Sequence, residues 1–197
     1  MALLAISPYE RGTWLAENLP VMIAAVILTF TYKRFQFSNT SYCLMWFFIC
    51  VHTIGGHYSF ARVPFEWGNQ LLAMTGLDSL FPDGRNNFDR VAHFLIGVFA
   101  YPAAELAYRK QWISNIPTAI AFGIFALGFW GALYEVIEMI YAELAGGEHA
   151  EDFLGSQGDF WDAQKDMALD ILGAVFATVF FWATWANRSP NHLDSKT

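Results

Sequence analysis

An apolar segment near the C-terminal end of the chain carries Asp162, Asp166 and Asp170 at intervals of four residues. Asp159 stands just before them, and in an α-helix of about 3.6 residues per turn all four carboxyls lie on one face, together with Gly173. Each Asp near the centre of a membrane helix costs about 2.5–3.5 kcal/mol on an insertion scale, so this face must turn away from lipid. The stripe therefore predicts a helix bundle with a polar interior, in which metal ions, protons or basic side chains neutralise the acids.

The composition is that of an integral membrane protein. Hydrophobic residues make up 55% of the 197 positions and charged residues only 15%, whereas soluble domains have about 25% charged residues. About five apolar segments approach the roughly 20 residues needed to cross a bilayer. We expect a single domain, residues 1–197, that is an all-α, polytopic membrane helix bundle of about five transmembrane helices, at about 14–32, 42–60, 88–108, 116–144 and 159–185.

Basic residues indicate the orientation of this bundle. One side of the membrane receives most of them, namely Lys33, Arg34, Arg109, Lys110 and the tail after Arg188. The positive-inside rule makes this side cytoplasmic, so the N-terminus is expected outside and the C-terminus in the cytoplasm. The net charge of −7 argues against nucleic acid as a partner. Membrane lipid is the expected partner, and homo-oligomerisation stays open.

Polar residues of four segments fall at one depth if the helices cross alternately. They stand late in the second and fourth segments and early in the third and fifth: His57, Asp89, His93, Glu135, Glu138, Asp162, Asp166 and Asp170. At about 1.5 Å per residue they share one half of the bilayer, beside the two long connections. Small residues lie on the same faces and permit close helix approach: Ala100, Ala104, Gly128, Gly131 and Gly173. The polar faces should therefore meet across a tight core.

Carboxylates combined with imidazole predict a divalent metal site, with Fe, Mn, Zn or Mg as the candidate ions. The predicted ligands are Asp89, His93, Glu135, Glu138, Asp162 and Asp166. A cation held in this way can activate water or polarise an oxygen of a lipid, which predicts a metal-dependent enzyme. His57 or Asp170 would then move protons, and Arg62 and Arg90 would hold an anionic headgroup.

Two alternatives use the same residues. The acids could form the proton or cation relay of a transporter. They could also pair with nearby basic residues in a purely structural network, whose candidates are Arg62, Arg85, Arg90 and Lys165. The three hypotheses differ in what neutralises the acids.

Residues outside this layer carry weaker expectations. Glu17, at the end of the first segment, is expected to be a solvated interfacial residue. Tryptophans near the segment ends predict an aromatic belt: Trp14, Trp67, Trp112, Trp161 and Trp185. An acidic connection is either a solvated loop or a lid over the site: Glu148, His149, Glu151 and Asp152.

Several motifs extend from the second segment to the fifth. They are Gly55-Gly56-His57-Tyr58, Ala61-Arg62-Val63-Pro64, Asp89-Arg90 with His93, Tyr134-Glu135 with Glu138, and Phe153-Leu154-Gly155 through Gln157-Gly158-Asp159 to Trp161-Asp162-x-Gln164-x-Asp166. Together they resemble the YjdF-like family of bacterial inner-membrane proteins. The resemblance implies a bacterial inner-membrane location and a set of signature residues that coincides with the polar layer. It implies no particular reaction.

Overall fold

The computed structural model describes residues 2–145 and 154–186, and the regular secondary structure in these ranges is all helical. The α-helices are α1 (Arg11–Thr31), α2 (Asn39–Tyr58), α3 (Glu66–Ala73), α4 (Phe88–Ile96), α5 (Ala100–Arg109), α6 (Ile116–Ala145) and α7 (Asp162–Trp185). Short 3-10 turns occupy Leu3–Ala5 and Gly97–Phe99. The expectation of an all-α, polytopic membrane protein is confirmed. The predicted acidic lid and the basic tail after Arg188 lie outside the described residues.

Within the described ranges, four spans are long and apolar enough to cross a membrane: Arg11–Thr31, Phe88–Arg109, Ile116–Leu144 and Asp162–Trp185. The fifth predicted crossing, α2, has 20 residues but a lower hydropathy. Polar residues at both of its ends cause this, and three of them, Ser41, His52 and Thr53, are buried. An averaged hydropathy does not separate polar groups that face protein from those that face lipid. By length and packing, α2 belongs to the same bundle as α1 and α4.

The third predicted helix is broken at its middle. Pro102 has no N–H, so the carbonyl of Val98 loses its regular helical donor. The chain forms the 3-10 turn at Gly97–Phe99 instead, in which the Ala100 N–H donates to the carbonyls of Gly97 and Val98. This turn also packs tightly on α7, since a Cβ on Gly97 would lie 2.2 Å from the carbonyl carbon of Gly173. The break therefore lies where two backbones meet.

The last helix begins three residues later than expected, at Asp162. Asp159 lies in the preceding turn, where its side chain accepts from the Trp161 N–H at 3.0 Å. Its carbonyl accepts from the Asp162 N–H at 3.2 Å. Asp side chains commonly satisfy the free N–H groups at a helix start in this way. Asp159 thus precedes the acidic stripe instead of belonging to it.

Small residues bring α4, α5, α6 and α7 into close contact, as predicted. A Cβ on Gly131 would lie 2.1 Å from Asp170 Oδ2, and one on Gly123 would lie 2.5 Å from the Ala100 carbonyl oxygen. Ala100 and Ala104 are completely buried. The aromatic-belt prediction fits Trp67, Trp112 and Trp161, which are exposed, and is wrong for Trp14 and Trp185, which are buried.

The two ends of the bundle differ in character. We call the end at which α1, α4 and α7 begin the polar end, and the opposite one, with Arg109 and Lys110, the basic end. The basic end is filled by aromatic side chains such as Tyr101, Phe181 and Trp185. It also buries Glu105, which sequence reasoning did not single out. This carboxylate accepts from the Ser38 N–H and hydroxyl at 2.7 Å each, from the Ser41 hydroxyl, and from Arg109 at 2.9 Å.

Candidate functional site

Two connections close the polar end of the bundle. The Asn86 N–H donates to Gln157 Oε1 at 2.9 Å, and Gln157 Nε2 donates back to the Asn86 carbonyl at 3.0 Å. The Asn86 side chain also donates to the carbonyls of Ala61 and Val63, at 3.0 and 2.7 Å. These bonds attach the start of α4 to the turn before α7. They fix the relative positions of the acids and bases that follow in both helices.

A cluster of ion pairs lies directly beneath this closure. Arg90, which is fully buried, contacts Asp162 at 2.6 Å, Asp159 at 2.9 Å and Asp166 at 3.2 Å. Arg85 contacts Asp162 at 2.8 Å. Buried guanidinium groups are stable when carboxylates surround them, so the structural alternative describes this part of the layer well. Asp162 is predicted as a metal ligand and Arg90 as a headgroup contact, but here the two side chains bind each other.

Asp159 forms the solvent side of this cluster. Partial burial by itself would raise its pKa, but the hydrogen bond from Lys165, at 2.6 Å, opposes that effect. The N–H of Trp161 and the charges of Lys165 and Arg90 act in the same direction as this bond. The net result is a pKa of Asp159 below its ordinary value.

A second group of acids surrounds His93. Its Nδ1 lies 3.0 Å from Asp170 Oδ1, while its Nε2 lies 3.7 Å from Asp89 and 3.9 Å from Glu135. One ligand atom from each of Asp89, His93 and Asp166 fits within a mutual distance of 4.8 Å. The structure therefore brings three of the predicted metal ligands, Asp89, Glu135 and Asp166, around the imidazole of a fourth, His93.

The arrangement around His93 fits a divalent cation. An ionised carboxylate only accepts, so the Nδ1 that faces Asp170 carries the proton, and in the neutral ring Nε2 has the lone pair. Holding one ring nitrogen by a carboxylate while the other binds metal is the usual second-shell pattern. Ligand atoms bound at about 2.0–2.2 Å lie about 3–3.5 Å from one another, slightly closer than the separations found here. A buried oxygen of Glu135 accepts no hydrogen bond from the described residues, and the buried Oδ1 of Asp166, which also accepts none, lies 3.2 Å from Arg90 Nε.

A cavity of about 380 Å³ opens beside this group, between α1, α2, α4, α6 and α7. Its polar wall includes Asp89, His93, Asp166 and Asp170, so the candidate metal ligands border the same space. An apolar part of the wall reaches toward the middle of the bundle, with Val21, Phe48, Ile96, Phe99 and Leu127. The site therefore combines a carboxylate-rich end with an apolar chamber.

Glu17 belongs to this cavity, so the expectation of a solvated interfacial residue is wrong. It is only 3% exposed, and its carboxylate accepts from the Tyr134 hydroxyl at 2.8 Å. His52 Nε2 lies 2.9 Å from the Glu17 carbonyl oxygen and 3.7 Å from its carboxylate. The position near the start of α1 suggested contact with water, but α2 and α6 cover it. Gly56 offers the signal in the sequence, since a Cβ there would lie 3.3 Å from the Glu17 Cβ.

Glu138 stands apart from the His93 group. It is 9% exposed and lines the cavity, on the helix that also supplies Tyr134. It is absent from the set of ligand atoms that fit around one ion among the described residues. Its place as a metal ligand stays a prediction, and the geometry places it on the wall of the chamber instead.

Two other predicted site residues lie outside the cavity wall. His57 Nδ1 is 2.9 Å from the Leu4 carbonyl oxygen, and its ring packs edge-on against Tyr58. Arg62 is exposed and lies over the Tyr9 ring at 4.2 Å. Neither side chain lies among those that line the chamber. The sequence places both residues close to the polar layer because they flank the end of α2, where the chain turns.

Comparison with known proteins agrees with this architecture. A family model described as "Predicted membrane protein (DUF2238)" matches residues 1–187. The chain is 34% identical over 177 residues to the inner membrane protein YjdF of Escherichia coli strain K12, which covers 89% of this chain and 80% of that protein. No solved structure matches the chain. The relative and the helical spans identify a multi-pass inner-membrane protein. The resemblance to YjdF is thus confirmed, and the chain belongs to the DUF2238 family of predicted membrane proteins.

Proposed function

We propose that the protein is a metal-dependent membrane enzyme whose cation is held by Asp89, His93 and Asp166, with Glu135 as a further ligand. One observation carries the proposal: His93 is oriented through Nδ1 by Asp170 and presents Nε2 to carboxylates at 3.7 and 3.9 Å. Hard carboxylate oxygens with one imidazole suit Mn²⁺, Fe²⁺, Zn²⁺ or Mg²⁺. Asp162 is left out of this set because Arg85 and Arg90 both hold it, at 2.8 and 2.6 Å. Two of the retained acids are each contacted by one arginine at a longer distance, Asp166 by Arg90 at 3.2 Å and Asp89 by Arg85 at 3.5 Å.

The substrate proposed for this centre is a lipid or another membrane-soluble molecule. The apolar chamber would hold its hydrophobic part, while its polar group would lie beside His93. A bound cation would supply Lewis acidity toward an oxygen of the substrate or toward water. Asp170 would hold the Nδ1 proton of His93, which keeps the ring in one tautomer. With the N-terminus outside, as the basic residues favour, the site would open toward the outer leaflet.

Metal analysis of detergent-purified protein tests the proposal directly. We expect a stoichiometric transition metal or, after chelation, saturable rebinding of Mn²⁺ or Zn²⁺ that raises the melting temperature. His93→Ala and Asp166→Asn should abolish binding, because an amide is a weaker ligand than a carboxylate. Asp159→Asn is the matched control, since Asp159 pairs with Arg90 and Lys165 instead of facing His93. Wild-type protein that neither retains nor rebinds metal would rule the enzyme proposal out.

Activity is tested by incubating proteoliposomes of an E. coli lipid extract with the wild-type protein and analysing the lipids by mass spectrometry. A changed lipid species that disappears with Asp166→Asn and persists with Asp159→Asn supports a metal-dependent reaction. Metal binding without any changed species would leave a metal-binding protein in place of an enzyme.

Proton- or cation-coupled transport is the second candidate, and one observation favours it. At the polar end the described carboxyls outnumber the permanent cations that contact them. The carboxyls are Glu17, Asp89, Glu135, Glu138, Asp159, Asp162, Asp166 and Asp170, and the cations are Arg85, Arg90 and Lys165. Excess acids can carry protons as well as bind a metal. We rank transport second because Tyr101, Phe181 and Trp185 fill the described part of the opposite end. Pyranine-loaded proteoliposomes that acidify only with wild-type protein would favour it.

A further inference from the structure

The chamber beside His93 has an aromatic lining. Phe48 makes an edge-on contact with Phe99 at 5.4 Å and packs on His52, which in turn packs on Phe60. Trp130 and Tyr134 line the facing wall from α6. Aromatic faces attract cations, and this attraction is stronger where water is excluded. Such walls suit an apolar molecule that carries a positive charge.

Two polar side chains that line the chamber, Glu138 and Ser59, have no hydrogen-bond partner among the described residues. Glu138 is 91% buried by accessible surface, lines the chamber and makes no hydrogen bond or ion pair with any described residue. The Ser59 hydroxyl, on a residue only 3% exposed, is also without a partner. Buried polar groups are normally satisfied, so such vacancies need an explanation. A ligand that brings a positive charge or hydrogen-bond donors would complete both.

The chamber is reached from the lipid side, between α1 and α6. Pro20 on α1 and Trp130 on α6 both line it, and both are exposed, Trp130 to 62%. Nearer the polar end, the Tyr134 hydroxyl bridges α6 to Glu17 on α1. A molecule dissolved in the bilayer could therefore enter laterally, with its charged group toward Glu138 and Glu17.

We infer that this chamber binds a lipophilic amine, meaning a molecule with one protonated or quaternary nitrogen on an aromatic or aliphatic body. Its volume of about 380 Å³ lies in the usual range of pockets for drug-sized ligands, about 300–1,000 Å³. Carboxyls at the polar wall repel anions of the same size, so the selectivity should follow charge. The inference goes beyond the proposed function, because it rests on Glu138, Ser59 and the aromatic walls and needs no metal.

Two ions of nearly identical shape and opposite charge provide the test. Tetraphenylphosphonium is a lipophilic cation, and tetraphenylborate is its anionic counterpart. Binding to purified protein in dodecyl maltoside micelles, which contain no amine, can be followed by tryptophan quenching or with labelled ion, with empty micelles as the blank. We expect saturable, micromolar binding of the cation and at least tenfold weaker binding of the anion. Equal binding of the two ions, or no saturable binding of either, would overturn the inference.

Variants locate the charge that binds the cation. Glu138→Gln should weaken cation binding by about tenfold or more, since it removes a desolvated charge pair. Trp130→Ala should weaken it less, and Glu138→Asp should restore most of the loss. Trp112→Ala is the control for tryptophan removal, because Trp112 is 67% exposed and does not line the chamber. Folded Glu138→Gln and Trp130→Ala proteins that both bind the cation as the wild type does would also overturn the inference.

Further measurements separate this inference from the metal proposal and identify the source of the amine. His93→Ala should lose metal and keep cation binding, while Glu138→Gln should lose cation binding and keep metal. Addition of phosphatidylethanolamine to the amine-free micelles tests a lipid amine. If the primary ammonium headgroup competes, the apparent affinity for tetraphenylphosphonium falls, and the source is a membrane lipid. If the affinity is unchanged, the source is a free lipophilic amine.

Discussion

The two ends of the bundle bury carboxyl groups in opposite ways. At the basic end, Glu105 is completely buried and receives hydrogen bonds from Ser38, Ser41 and Arg109. At the polar end, Glu138 forms no hydrogen bond or ion pair with the described residues, and buried oxygens of Glu135 and Asp166 accept no hydrogen bond from them, although Arg90 Nε lies 3.2 Å from Asp166. A carboxylate with several donors stabilises a fold, whereas one that lacks them lowers stability unless a ligand arrives. Burial of a carboxyl group alone therefore does not identify a site. What distinguishes the two ends is whether hydrogen-bond donors surround the buried carboxyl.

The largest expected effect concerns the satisfied carboxylate. Glu105→Ala removes a buried carboxylate that contacts Arg109 and accepts from Ser38 and Ser41, which should cost about 3–5 kcal/mol of stability. Unfolding by SDS titration in mixed micelles measures this loss. Glu105→Gln keeps an acceptor oxygen, so its stability should lie between that of the wild type and that of Glu105→Ala. If Glu105→Ala unfolds at nearly the wild-type detergent fraction, the contrast between the two ends is wrong.

A second prediction concerns the orientation of His93. Asp170→Ala removes the acceptor of Nδ1 and frees the ring to rotate, so metal affinity should fall by about 10–100-fold. Isothermal titration with Mn²⁺ or Zn²⁺ gives the affinity, and circular dichroism checks that the helices persist. Asp159→Ala removes an acid that does not contact His93 and should leave the affinity near that of the wild type. Equal losses in the two variants would point to general electrostatics and away from a built site.

The third prediction concerns Glu138 at the polar end, where we expect substitution to cost little or no stability. Glu138→Gln replaces an unpartnered buried carboxyl by a neutral amide, so stability should change by less than about 1 kcal/mol, or increase. The same SDS titration compares it with Glu105→Gln, a chemically identical substitution at the opposite end. A loss at Glu138 as large as that at Glu105 would show that Glu138 has a structural partner in the membrane.

The smallest expected effect lies at the solvent edge of the ion-pair cluster. Because the pKa of Asp159 is held below its ordinary value, its contribution to stability is present above the unfolded-state pKa. The contribution disappears as the pH falls through the lower folded-state pKa. Asp159→Asn should therefore be less stable than the wild type near neutral pH, by at most about 1 kcal/mol. Melting temperatures measured between pH 3 and pH 7 should converge at the acid end, and parallel curves would contradict this.

Periodicity and small residues made much of the fold predictable. The four-residue spacing of Asp162, Asp166 and Asp170 fixes one face of a helix whatever that helix packs against. Gly131 and Gly173 lie on the faces that approach other helices most closely, as expected from their lack of a side chain. The convergence of Asp89, His93, Glu135 and Asp166 follows from the alternation of crossings. Local rules of helix geometry suffice for all of these.

Other features depend on which helix covers which, and the sequence does not state this. Glu17 and Trp185 both lie near helix ends, where exposure to water or headgroups is the usual outcome, yet both are buried. Glu105 appears as an ordinary acid four residues before Arg109, and only the Ser38 and Ser41 contacts show its role. Arg85 and Arg90 divide the predicted acid layer into an ion-pair cluster and a histidine-centred group, which depends on distances of a few ångströms.

The 3-10 turn at Gly97–Phe99 also sets an angle between two halves of one membrane span. A residue in a 3-10 turn advances about 120° around the axis against about 100° in an α-helix, so three such residues add about 60° of rotation. The face of α4 that carries Asp89 and His93 is thereby turned relative to the face of α5 that packs through Ala100 and Ala104. The turn therefore fixes the rotation of α4 about its axis relative to α5. Substitutions that change its winding would rotate the chamber wall against the aromatic end while each helix stays intact.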